Sequence, residues 1–156
     1  DMLVESFVGG REFTVGLLGN GREVHVFSPM EIVYTYTPPD GFAVYSYTVK
    51  QDYTRYVRYE CPARLDAAVE RRMKEDAKKV FLALNCQDFA RIDFRLSEDG
   101  RDICFIEINP LPGLAPAYSD YPMLADFCGV SYDALIAGIL RAAALRTGAP
   151  LPFAKT

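Results

Sequence analysis

Two short segments concentrate the side chains that could do chemistry: Phe89-Ala90-Arg91-Ile92-Asp93-Phe94-Arg95-Leu96 and Cys104-Phe105-Ile106-Glu107-Ile108-Asn109. Polar and apolar residues alternate almost strictly in both, which is the period of a β-strand with one face buried. Ile92, Phe94, Leu96, Cys104, Ile106 and Ile108 share the face that must enter the core. A tight Glu98-Asp99-Gly100 turn pairs Ser97 with Arg101 and sets Arg91 opposite Glu107. Arg91, Asp93, Glu107 and Asn109 then share the other face. Two carboxylates about 4 Å apart repel by about 4 kcal/mol at an effective dielectric of about 20. Such a face either spreads into water or recruits a cation. Asp, Glu and Asn offer hard oxygen ligands, which suit magnesium better than zinc or copper. The pattern also fits a wet strand face on which Arg91 merely pairs with Glu107.

The surrounding pattern shows what must position these residues. Strands are expected over residues 2–8, 12–18 and 23–27, separated by glycine turns, with a further strand over 31–35. Residues 36–62 show no sustained period. A stretch of that length reads equally as a lid over a site or as an insertion without a role. Apolar residues Leu65, Ala68, Val69, Met73, Ala77, Val80, Phe81 and Leu84 recur at helical spacing across 64–85. The two charged strands follow at 89–97 and 102–109. Shorter helices are expected over 119–128 and from Ser131, a good N-cap, to Arg146. Strands, lid, helix, hairpin and helices in that order give an α+β class with a mainly antiparallel sheet.

The chain has 156 residues, 50% of them hydrophobic, enough for one core, so a single domain over 1–156 is expected. Its first residues lie inside a predicted strand, which suggests a piece of something longer. A formal net charge of −4 and the lack of a basic, aromatic-rich patch argue against nucleic acid. Apolar runs are strand-sized, so no membrane span is expected. Cys61, Cys86, Cys104 and Cys128 are widely spaced and lack CxxC pairing, so a zinc site is not expected. Cys104 and Cys128 look like small core residues, and a reducing cytoplasm follows. His25 is the lone histidine and reads as a strand residue without a catalytic role.

Arg91-Ile92-Asp93-Phe94, followed after a short gap by Glu107-Ile108-Asn109-Pro110-Leu111-Pro112-Gly113, resembles the signature closing the ATP-grasp site of D-alanine-D-alanine ligases. The segment from Leu3 to Val15 is similar to that family's adenine-binding hinge, and the likeness continues through Cys61-Pro62-Ala63 and Gly129-Val130-Ser131-Tyr132-Asp133-Ala134-Leu135-Ile136. The resemblance implies the C-terminal ATP-grasp subdomain of a carboxylate-amine ligase that uses ATP and magnesium or manganese and forms a peptide-type bond through an acyl phosphate. It implies that Asp93, Glu107 and Asn109 hold metal and that Arg91 stabilises the transferring phosphoryl group. It further implies that Lys50 reaches the γ-phosphate from the lid. Glu12 would take the ribose hydroxyls, and Glu5, Ser6, Phe7 and Val8 would line the adenine slot. Gly113 and Ser119 would meet the acceptor substrate. Small amino-acid or peptide substrates, absent N-terminal domains and a homodimer follow from the same likeness.

Two residues depart from that family's pattern. Gln51 follows the lid lysine where an aromatic is common, and Asp120 places an acid where an apolar residue is typical. Both changes point toward a ligase for a different amino acid or peptide. A domain that kept the fold as a non-catalytic scaffold is the other alternative, although the clustering of Lys50, Arg91, Asp93, Glu107 and Asn109 argues against it.

Overall fold

A computed structural model describes residues 2, 4, 7–35 and 57–150. The long helix predicted from periodicity is α1, Ala67–Ala83. Asp66 caps it by accepting a hydrogen bond from the Ala68 amide at 2.8 Å. Its buried stripe of Met73, Ala77 and Phe81 lies against Phe13, Val15 and Leu17 of β1 (Arg11–Leu18) and Ile92, Phe94 and Leu96 of β5 (Phe89–Leu96). The period-2 pattern of the strands and the helical period of α1 thus meet in one core.

β1 is the middle of the sheet. The order is β4 (Val57–Glu60), β3 (Met30–Tyr34), β1, β5 and β6 (Ile103–Asn109), with the two-residue β2 (His25–Val26) pairing on β1. All described pairs are antiparallel. The second face divides lengthwise. At one end Phe27, Met30 and Phe89 are covered by Tyr121, Leu124, Ala125 and Leu135, which come from α2 (Asp120–Phe127) and α3 (Tyr132–Thr147). Gly16 makes that cover possible, since a Cβ there would lie 3.0 Å from both Leu124 and Phe27. The other end carries the polar residues of β1, β5 and β6. No single described helix is long and apolar enough to cross a membrane.

The α+β class and mainly antiparallel sheet are as expected, and the three helices fall close to their predicted bounds. Four details differ. The described residues of the predicted strand 2–8, namely Met2, Val4, Phe7 and Val8, lie in no strand. The Val8 carbonyl accepts a hydrogen bond from the Arg95 side chain at 2.9 Å. The predicted strand 23–27 shrinks to β2 because Gly21–Glu23 forms a turn of 3-10 helix. Val57–Glu60, inside the span read as irregular, pairs along β3. Residues 36–56 of the predicted lid lie outside the described residues, Lys50 and Gln51 included.

The fourth difference concerns the hairpin. Leu96 pairs with Ile103 and Phe94 with Phe105, but Asp93 pairs with Glu107, so Ile106 is an extra residue in β6. The turn is also one residue longer than expected, since the Ser97 amide donates to the Asp102 carbonyl at 2.9 Å and Ser97 does not pair with Arg101. The two single-residue shifts together set Arg91 opposite Asn109, not Glu107. The bulge also reverses the alternation: Ile103 and Ile108 pack on the core, while Phe105 and Ile106 are half exposed and Cys104 is not part of the core cluster. Core burial selects the face on each side of the bulge separately, and strict alternation cannot show where the register steps.

Candidate functional site

Without the bulge, the register of Phe94 with Phe105 would continue to Asp93 opposite Ile106. The extra residue replaces that isoleucine with Glu107 and so sets two carboxylates directly across from each other. Like charges in that position destabilise a strand pair. A bulge that re-aims a side chain is a recurring device beside active sites. Asn109 completes the row, its amide donating to Glu107 Oε1 at 3.1 Å.

Arg91 lies among these acids. Its Nε and Nη2 donate to Asp93 at 3.1 and 2.9 Å, and its Nη1 donates to Asp120 Oδ2 at 2.9 Å. Glu107 Oε1 stands 3.9 Å from Nη2. One guanidinium thus faces three carboxylates, an excess of two negative charges if all are ionised. The side chains of Arg91, Asp93 and Asp120 are 14%, 14% and 12% exposed, so water screens these three little, while Glu107, at 54%, keeps much of its hydration. Burial pushes the Asp93 carboxyl above its ordinary value despite Arg91 and the Thr14 hydroxyl, which donates to it at 2.6 Å. Burial alone would lower Arg91, but Asp93, Asp120 and Glu107 outweigh it and raise the guanidinium further. Arg91 is a fixed cation under all ordinary conditions.

A second polar group forms along the same face. Arg95 donates to Glu12 Oε2 at 2.8 Å, and the Tyr34 hydroxyl donates to the same oxygen at 2.8 Å. The Phe7 ring lies against the Arg95 guanidinium, whose carbon is 5.0 Å from the ring centroid. Phe7, Val8 and Glu12, expected at one nucleotide slot, therefore gather around Arg95. Glu5 and Ser6 lie outside the described residues. Gly113 and Ser119 also meet: a Cβ on Gly113 would lie 2.7 Å from the serine Oγ, which accepts from the Ala115 amide at 3.2 Å.

The structure thus brings Arg91, Asp93, Glu107 and Asn109 together and adds residues that sequence reasoning did not place there. Thr14 shares the alternation of Glu12 in β1 and was legible on that ground. Asp120 had drawn notice only as an unusual acid. Its other oxygen accepts from the Tyr59 hydroxyl at 2.9 Å. Tyr59 gave no signal, because β4 fell in a segment without a period. Among the described residues no group of three or more His, Cys, Asp or Glu side chains is placed to hold a metal ion by itself.

The family model for the D-ala D-ala ligase C-terminus matches residues 1–141. The chain belongs to this family. It is 38% identical over 144 residues to a D-alanine-D-alanine ligase of Janthinobacterium sp. (strain Marseille), covering 92% of this chain and 42% of that relative. The VanG D-Ala:D-Ser ligase from Enterococcus faecalis is 27% identical in sequence, with a TM-score of 0.67 over 87% of this chain and 37% of that one. The D-alanine-D-alanine ligase from Bacillus anthracis complexed with ATP has a TM-score of 0.69 over 92% of this chain and 42% of its own; at 24% identity that likeness speaks for the fold. The chain therefore spans well under half the length of these ligases, and its fold is that of the family's ATP-grasp C-terminal part.

Proposed function

We propose that this chain forms the ATP- and metal-holding side of an ADP-forming carboxylate-amine ligase acting on small amino-acid or peptide substrates. One observation carries the reading: a bulge sets the half-exposed Glu107 against the nearly buried Asp93 beside Asn109, leaving three carboxylates around the single guanidinium of Arg91. A strand pair gains nothing from that repulsion unless a cation joins it. The donors are all hard oxygens, which fit magnesium or manganese. Asp93, Glu107 and Asn109 would hold the ion, and the charge it supplies would lower the repulsion between the ATP phosphates and an incoming carboxylate.

The chain's own residues do the rest. Arg91 presents a permanently charged fork where a transferring phosphoryl group meets the acids, and it stabilises negative charge that develops there. Lys50 adds a second cation from the lid. Glu12 takes the ribose hydroxyls, while Phe7, Val8, Glu5 and Ser6 hold the adenine. Gly113 and Ser119 meet the acceptor at the start of α2. Exclusion of water by the lid protects the acyl phosphate from hydrolysis until an amine attacks it. N-terminal domains supply the remaining substrate contacts, and a cytoplasmic homodimer is the setting.

Asp120 favours an acceptor other than D-alanine. It occupies one arm of Arg91 and adds an acid next to the acceptor loop, which disfavours a bare carboxylate there. Titration calorimetry of the intact protein should show magnesium-dependent ATP binding that Glu107→Gln weakens severely. Unchanged binding would remove the metal assignment. Phosphate release from ATP, screened against D- and L-amino acids and short peptides, would name the acceptor, and no release with any of them would favour a scaffold.

A further inference from the structure

The fold builds a pair that the sequence spacing does not show. Cys61 and Cys128, 67 residues apart, bring their sulfurs to 3.7 Å, in van der Waals contact. Cys61 directly follows β4 and Cys128 caps the end of α2. Both are free and partly exposed, and both pack on the cluster of Met30, Leu124 and Leu135. Neither thiol serves the site described above.

We propose that Cys61 and Cys128 are a redox modification site, a dithiol that closes reversibly to a disulfide under peroxide. The sulfurs need approach by only about 1.7 Å to reach the 2.03–2.05 Å of an S–S bond, a movement two side chains can share by rotation. One sulfur attacks a peroxide oxygen, the O–O bond breaks and water leaves, giving a sulfenic acid. The second thiol attacks that sulfur, the S–O bond breaks and a second water leaves. The pair loses two electrons and two protons, and the peroxide takes them up.

Burial, the neighbouring Cys128 and the charge of Glu70 push the Cys61 thiol up to about 12, so Cys61 rests as a thiol, and the two sulfurs share one hydrogen bond. That pair stays reduced until an oxidant is abundant. The link would fasten β4 to α2, the two elements that meet at the Tyr59-Asp120 hydrogen bond. This inference stands independently of the nucleotide reading.

The test is peptide mapping of the intact protein after hydrogen peroxide and alkylation. The expected result is a Cys61–Cys128 linked peptide, Cys86 and Cys104 still alkylated, reversal by dithiothreitol, and a melting temperature several degrees above that of the reduced protein. Cys61→Ser and Cys128→Ser should each lose the linked peptide and the rise in melting temperature. Sulfinic or sulfonic acids at Cys61 and Cys128 without a linked peptide would overturn the proposal. An unraised melting temperature in the linked protein would do the same, and the wild-type mapping needs no variant to fold.

Discussion

Replacing Arg91 with methionine tests whether the site is an electrostatic assembly or a wet strand face. Methionine keeps much of the length and apolar stem but deletes three charge-assisted hydrogen bonds, two to Asp93 and one to Asp120. Both acids are less than a sixth exposed, so the variant leaves buried carboxylates without their partner. Breaking a buried pair from one side costs about 3–5 kcal/mol. Glu107, 54% exposed and 3.9 Å away, adds little. At roughly 3 °C per kcal/mol for a domain of this size, the melting transition of this domain should fall by roughly 10–15 °C at pH 7.

The pH dependence carries the sign. Asp93 already has a raised carboxyl, and losing Arg91 raises it further. A carboxyl raised on folding binds its proton more readily in the native state, so it costs stability at neutral pH and less as pH falls. The deficit of Arg91→Met should therefore shrink as pH falls below 7. The triple variant Arg91→Met, Asp93→Asn, Asp120→Asn, which removes the orphaned charges too, should recover most of the loss. A single variant within about 1 kcal/mol of the parent, or a triple variant as unstable as the single, would refute the argument.

Two further perturbations probe the scaffold. Gly16→Ala would push a methyl to 3.0 Å from Leu124 and Phe27 and 3.2 Å from Tyr121, so chemical denaturation should show a loss of about 1–3 kcal/mol as α2 is displaced from the sheet. Asp88, at φ 67°, accepts from Asn20 and from both arms of Arg146. Arg146 first, with Asn20 also contributing, holds its carboxyl below the usual range although burial opposes this. A carboxyl lowered on folding contributes stability above its unfolded value and loses it as pH falls through the folded one. Asp88→Asn keeps a residue that tolerates this backbone, so its deficit in thermal melting should be present at pH 7 and fade below about pH 4.

The parts that were legible in the sequence are those in which one physical rule acts alone. α1 obeys the helical period because one face meets the sheet along its whole length, and the polar face of β5 obeys alternation because nothing interrupts it. Register was lost where a rule is broken for a purpose. Strict alternation makes Ile106 a core residue and a three-residue turn sets Arg91 opposite Glu107; the turn is instead one residue longer, and the structure spends an isoleucine at the surface to bring Glu107 against Asp93. Local preference alone disfavours both outcomes, the exposed apolar residue and the facing acids. They occur at one step of one hairpin, beside the guanidinium that Asp93 and Asp120 share, which places the irregularity at the proposed site. Asp120 shows the same logic from another element: read in the chain it is an odd acid before Tyr121-Pro122, and only the packing of α2 on Gly16 carries it to Arg91. The long-range partners of a site come from packing, which is why Tyr59 surfaces only in three dimensions while the Arg-Asp and Glu-Asn pairs can be found by spacing.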